Sequence, residues 1–134
     1  MGSIRRETVV SAALSDVWST LRDVGNAADA FPGILTHSRL QSGNQRLVTF
    51  SNALVVTERI LDIDDANRRV AFSALPSALV HHSASMQVSD AGGGAVRFVW
   101  ITDFLPDEAG SFVEPLVDEG IPCFERRWRS GENP

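Results

Sequence analysis

The sequence predicts an α+β domain. A curved antiparallel sheet of seven strands follows the chain, with two short helices after the first strand and one long C-terminal helix across the sheet. Three observations predict it. The chain has 134 residues, enough for one domain (1–134) with its own core. Between Leu35 and Leu105, six β-prone stretches are separated only by SGN, SN, DDAN, PS and DAGGG. These are turn chemistries too short for helical crossovers, so neighbouring strands should pair antiparallel. Finally, the segment from Phe112 to Trp128 has helical apolar spacing, and no other element is long enough to cover a sheet face.

The elements follow in order. Ile4–Ser11 carries Ile4, Thr8, Val9 and Val10 and reads as the first strand. Leu14–Val24 reads as a helix: Ser15 is a natural N-cap, Asp16 suits a first turn, and Leu14, Val17, Trp18 and Leu21 form a stripe. Gly25 and Asn26 stop it, and NAADAF forms a second short helix ended by Pro32 and Gly33. The later strands are Leu35–Leu40, Arg46–Phe50, Leu54–Ile63, Arg69–Leu75, Val80–Val88 and Ala95–Leu105. In the terminal helix, Val113, Leu116, Val117, Ile121, Phe124 and Trp128 share an apolar face. Pro115 fits a first turn. Pro122 lacks an N–H and clashes with the preceding turn, so a kink or a division into two pieces is expected there, reinforced by Gly120. A sheet bent around a helix leaves a space between them, a usual home for apolar ligands.

Composition narrows the function. Twelve basic residues, all arginine, face seventeen acidic ones, for a formal charge of −5. That balance offers no extended positive surface to a phosphate backbone, so no nucleic-acid partner is expected. Arg126, Arg127 and Arg129 cluster where cations suit helix carbonyls. The one cysteine, Cys123, permits no intrachain disulfide and fits a reducing compartment. The opening MGSIRRETVV has no signal-peptide core, and no apolar run nears the roughly 20 residues that cross a bilayer. The expectation is a soluble cytoplasmic protein without membrane insertion. No phosphate-cradling glycine loop, CxxC, HExxH or nucleophile elbow occurs, so neither cofactor nor metal is expected.

Strand alternation selects candidate site residues. In VHHSASMQV, Val80, His82, Ala84, Met86 and Val88 share the apolar face, so His82 points inward and His81 outward. An inward histidine is either a hydrogen-bonded core group or a donor and general base for a bound ligand. In LVVTERILDI, Glu58 shares a face with Val56 and Ile60, although the opposite parity would bring Arg59 inward. An inward carboxylate needs a cation or donors, and His82 is a candidate partner. In AVRFVWITDFL, Val96, Phe98, Trp100, Thr102 and Phe104 share a face. Phe98, Trp100, Phe72 and Met86 are wall candidates, joined by Phe31 beside the short helix and by Leu116 and Phe124 of the terminal helix. Phe31, Pro32 and Ile34 are also candidates to gate the cavity mouth.

The stretch SAALSDVWSTLRDVGNAADAFPGI resembles the opening of START-like, or SRPBCC, proteins, in particular the bacterial polyketide cyclase/dehydrase branch. VVTERILDIDDANRRVAFSAL, the strand leading into DAGGG, and VRFVWITDFLPDEAG agree, so the resemblance covers nearly the whole chain. It implies a helix-grip (Bet v 1-like) fold, a seven-stranded sheet wrapped around the C-terminal helix with a deep hydrophobic cavity. Relatives of this kind include lipid carriers, hormone receptors and aromatase/cyclases. Leu14 stands where they often carry proline, and Pro122 is the larger departure. The expected partner is a small hydrophobic or aromatic molecule. One expectation is a cyclase/aromatase-like enzyme in which His82 moves a proton and Glu58 orients it. The others are a non-enzymatic carrier and a stress- or assembly-related interaction module. A homodimer is left open.

Overall fold

A computed structural model describes residues 2–75 and 79–129. Its strands are β1 (Gly2–Ser11), β2 (Leu35–Leu40), β3 (Gln45–Phe50), β4 (Val55–Asp64), β5 (Arg69–Leu75), β6 (His81–Gly92) and β7 (Ala95–Leu105). They form one curved antiparallel sheet in the order β1-β7-β6-β5-β4-β3-β2. From β2 to β7 each strand lies beside its sequence neighbour, as short turns require. The β6–β7 turn takes positive φ at Gly93 and Gly94, which is why glycine stands there. β1 instead pairs with β7 at the edge opposite β2, with Ile4 opposite Thr102 and Thr8 opposite Phe98.

Two short helices follow β1: α1 (Leu14–Arg22) and α2 (Ala27–Ala30), joined through a 3-10 turn at Val24–Asn26. α1 begins one residue before the expected cap. Ala13 is extended and its carbonyl accepts the Asp16 and Val17 N–H groups, so Ser15 lies inside the first turn and caps nothing. Val17, Trp18 and Leu21 are buried, and the exposed side is tied down at the β4–β5 turn. There the Asp65 carboxylate accepts from Trp18 Nε1 at 2.9 Å and from Arg22 Nε at 2.8 Å.

α3 (Gly110–Arg127) runs as one hydrogen-bonded helix across the sheet. The expected division at Pro122 does not occur. Because the helix starts at Gly110, Pro115 also lies beyond its first turn. The two prolines are seven residues apart, so they share a face, and that face is exposed. Their missing N–H groups therefore disturb the water side and leave the sheet-facing side intact. Gly120 has a packing reason: a Cβ there would stand 2.6 Å from the Trp100 ring, so only glycine lets the indole lie against the helix.

Two buried clusters result. The larger holds Val17, Phe31, Phe72, Val88, Phe98 and Phe124; the smaller holds Ile4, Phe104, Val113 and Val117. Trp100 packs against both. Phe98 and Phe124 are fully buried and stack with centroids 4.0 Å apart, fastening the C-terminal half of α3 to β7. Outside, Arg6 of β1 reaches Asp118 at 2.8 Å and Glu114 at 2.7 Å on α3. These pairs are exposed, so water and salt screen them and they add little to stability. No helix among the described residues is long and apolar enough to cross a membrane.

Phe124→Ala removes the helix side of the stack and should cost about 3–5 kcal/mol. Urea unfolding should show the lower midpoint with an unchanged slope. An unshifted midpoint would mean that the stack does not anchor the helix.

Candidate functional site

Beneath the N-terminal half of α3 the sheet and helix form a partly open cavity of about 140 Å³. Its wall draws on both core clusters: Phe31 and Ile34 near α2, Val48 on β3, Phe72 on β5, Met86 on β6, and Val113, Leu116 and Val117 on α3. Trp100 lines it where the clusters meet, and the half-exposed Phe112 stands among the lining residues at the helix start. Five polar side chains join this apolar wall: Thr20, Arg46, Glu58, His82 and Thr102.

The alternation argument places most of the candidates here. His82, Glu58, Trp100, Phe72, Met86, Phe31 and Leu116 all line the cavity. Phe98 and Phe124 do not; they are spent on each other in the solid core next door. Val80 also departs from its expected face. It precedes β6 and is 81% exposed, since the strand begins only at His81. Glu58 is inward, at 8% exposure, and Arg59 is outward. Phe31 and Ile34 are buried and line the cavity, whereas Pro32 does not. Phe31 touches Trp100 and Phe124 at centroid distances of 5.5 and 5.8 Å, so it joins the cavity to the solid core.

Glu58 is not paired with His82. Its partner is Arg46, opposite it in the β3–β4 register, with Arg46 Nε donating to Glu58 Oε1 at 2.9 Å. Arg46 Nη1 donates to the Val24 carbonyl at 3.1 Å, and its guanidinium lies 4.7 Å from the Phe72 ring centroid. Both charges are buried, at 6% and 8% exposure. Sequence reasoning missed Arg46. The signal was present: Arg46 shares its parity with Val48, on the strand next to an inward carboxylate that needs a cation.

His82 is held by other groups. Its Nδ1 accepts the Ala74 backbone N–H at 2.9 Å, so this nitrogen carries no proton. The proton is then on Nε2, which donates to Thr102 Oγ1 at 3.2 Å. Burial pushes the imidazole below its ordinary range; the Glu58 charge opposes that push and the neighbouring His81 adds to it. A neutral ring with both nitrogens engaged positions Thr102, whose own hydroxyl proton remains to be given. As a general base, the ring would first have to release Ala74 N–H. The Trp100 indole Nε1 is buried and has no hydrogen-bond partner. Among the described residues no cluster of three or more His, Cys, Asp or Glu forms a metal site.

The family described as "Polyketide cyclase / dehydrase and lipid transport" matches residues 1–125. The chain belongs to this family, within the SRPBCC/START-like superfamily. No curated protein sequence matches it significantly. Solved structures share its fold closely. XoxI from Bacillus cereus superposes with a TM-score of 0.84 at 16% identity, covering 100% of both chains. The Zhui aromatase/cyclase from Streptomyces sp. R1128 gives 0.74 at 23% identity, covering 96% of each chain. Norcoclaurine synthase from Thalictrum flavum, solved with dopamine and hydroxybenzaldehyde, gives 0.70 at 16% identity, covering 93% of this chain and 84% of its own. At these identities the likeness is one of fold.

Two predictions follow from the geometry. Removing one member of the buried pair, as in Arg46→Met, should cost about 3–5 kcal/mol, while Arg46→Met with Glu58→Leu should recover most of it. Thermal denaturation of both variants checks this, and an equal loss in the double variant would contradict it. The depressed His82 pKa means that the unfolded chain binds the extra proton first. Stability is therefore fully present above about pH 6.5 and is lost as pH falls below it toward the folded-state value. His82→Asn should flatten the fall in melting temperature between pH 7.5 and 5.5; an identical slope would remove His82 as its source.

Proposed function

We propose that this protein binds one small, largely apolar molecule of single-ring size in the cavity beneath α3. The observation that carries this reading is a partly open pocket with an aromatic and aliphatic wall, in which Arg46 Nη2 and Glu58 Oε2 make no hydrogen bond to the described residues. The volume, about 140 Å³, resembles the roughly 150 Å³ apolar cavity that accepts benzene. It is below the roughly 300 Å³ at which pockets for drug-sized ligands begin. Norcoclaurine synthase, with the same fold, was solved with two single-ring aromatics, which supports the size class.

A second reading is a cyclase/aromatase-like enzyme, favoured by the family description and by the fold shared with the Zhui aromatase/cyclase. In it the wall enforces a reactive conformation and His82 moves a proton. The engaged nitrogens of His82, and the pairing of Glu58 with Arg46, make this the less direct use of the site.

Native mass spectrometry of freshly purified protein, compared with the denatured mass, should detect a retained ligand or free protein able to take one. Titration with toluene should quench tryptophan fluorescence, and Trp100→Phe should remove most of that change while Trp18 and Trp128 remain. No retained mass, no quenching by toluene and no binding of polar molecules of the same ring size would together reject the binding reading. If a turnover substrate is found and His82→Ala leaves its rate unchanged, the proton-transfer role is lost.

A further inference from the structure

The polar end of the cavity has a specific chemical form. Arg46 and Glu58 are the charged residues of the wall among the described residues, and they neutralise each other. Each nevertheless keeps one functional atom unspent. Arg46 uses Nε on Glu58 and Nη1 on Val24, and Nη2 makes no hydrogen bond to the described residues. Glu58 uses Oε1, and Oε2 makes none. The pair therefore offers the cavity one donor and one acceptor on neighbouring groups, with no net charge. The remaining polar side chains of the wall are neutral: Thr20, His82 and the Thr102 hydroxyl that His82 orients.

We infer that the Arg46–Glu58 pair is a recognition element for a neutral single-ring molecule that presents a hydrogen-bond acceptor and donor side by side, as a primary amide does. This rests on the cavity-binding reading above and adds the ligand's chemical class. The acceptor of such a group takes Arg46 Nη2–H and its donor gives to Glu58 Oε2. Both unspent capacities are then used without bringing charge into an apolar wall. A carboxylate would satisfy Arg46 but face Glu58 as a like charge; an ammonium would face Arg46 in the same way. Either ion would also leave the cavity with an uncompensated charge, which burial penalises heavily. A hydrocarbon ring would fill the space and leave both polar atoms unpaired, which also costs affinity.

Four probes of one ring size separate these cases at pH 7.5: toluene, benzamide, benzoate and benzylammonium. Affinities would be measured by calorimetry on the full chain, with the Arg46 Nε–H resonance followed in ¹H–¹⁵N spectra. Benzamide should bind at least tenfold more tightly than each of the other three and should shift the Arg46 signal, which toluene leaves in place. Glu58→Gln turns the wall net positive, so benzoate should overtake benzamide in that variant. A benzamide affinity equal to that of toluene, or a preference of the wild type for either ion, would overturn the inference while leaving cavity binding intact. Failure of all four to bind would overturn the cavity reading, and this inference with it. The wild-type order decides the matter even if Glu58→Gln folds poorly.

Discussion

The contact between α3 and the centre of β7 organises this molecule. Phe124 stacks on Phe98 at one point, and one turn earlier Gly120 lets the Trp100 ring lie directly against the helix. Both contacts are close, so the C-terminal half of α3 is held near the sheet. The N-terminal half of α3 is held as well, with Val113 and Val117 packed on Ile4 of β1 and Phe104 of β7. These contacts all lie on the β1–β7 side of the curved sheet, and the cavity lies beside them, where Val113, Leu116 and Val117 meet residues of β3 to β6. The cavity is thus the space left where the curved sheet bends round a helix packed on one side of it. The outward-facing prolines are part of this arrangement. They leave the inner face of α3 free to make the fastening.

The polar groups inside the cavity are costly. A buried ion pair seldom stabilises more than an apolar pair of the same volume, because desolvation consumes most of the Coulomb attraction. Arg46 and Glu58 are both buried residues, and Arg46 Nη2 and Glu58 Oε2, which keep some accessible surface, have no hydrogen-bond partner among the described residues. The indole N–H of Trp100 is buried without one. Folding alone gains little from such an arrangement, and a ligand that completes these bonds recovers what folding gives up. His82 contributes differently. Anchored to the β5 backbone through Nδ1, it fixes the hydroxyl of Thr102 on β7, so three strands set one donor in place.

Shared fold does not carry shared chemistry here. The superposed proteins include an aromatase/cyclase and norcoclaurine synthase, and this chain resembles both at the level of the sheet and the helix. What separates members of such a group is the handful of polar side chains that reach the cavity. In this chain those are Thr20, Arg46, Glu58, His82 and Thr102, and the last four lie on positions that strand alternation turns inward.

Strand alternation and helical spacing depend only on neighbours along the chain. For that reason the sequence by itself determined the order of elements, the antiparallel meander from β2 to β7, and the inward direction of His82 and Trp100, while at β4 it left Glu58 and Arg59 as alternatives. It equally placed Phe98 and Phe124 inward, but inward facing does not separate a cavity wall from solid core. That distinction depends on the distance between α3 and the sheet at each point along the helix. The closure of β1 on β7, the partner of Glu58 and the tautomer of His82 were likewise decided only by tertiary structure. Each depends on which residue of a distant strand comes opposite, a matter of register and spacing between elements that no local pattern encodes. Pro122 shows the same limit from the other side: its local preference breaks a helix, and packing along the buried face of α3 holds the helix whole.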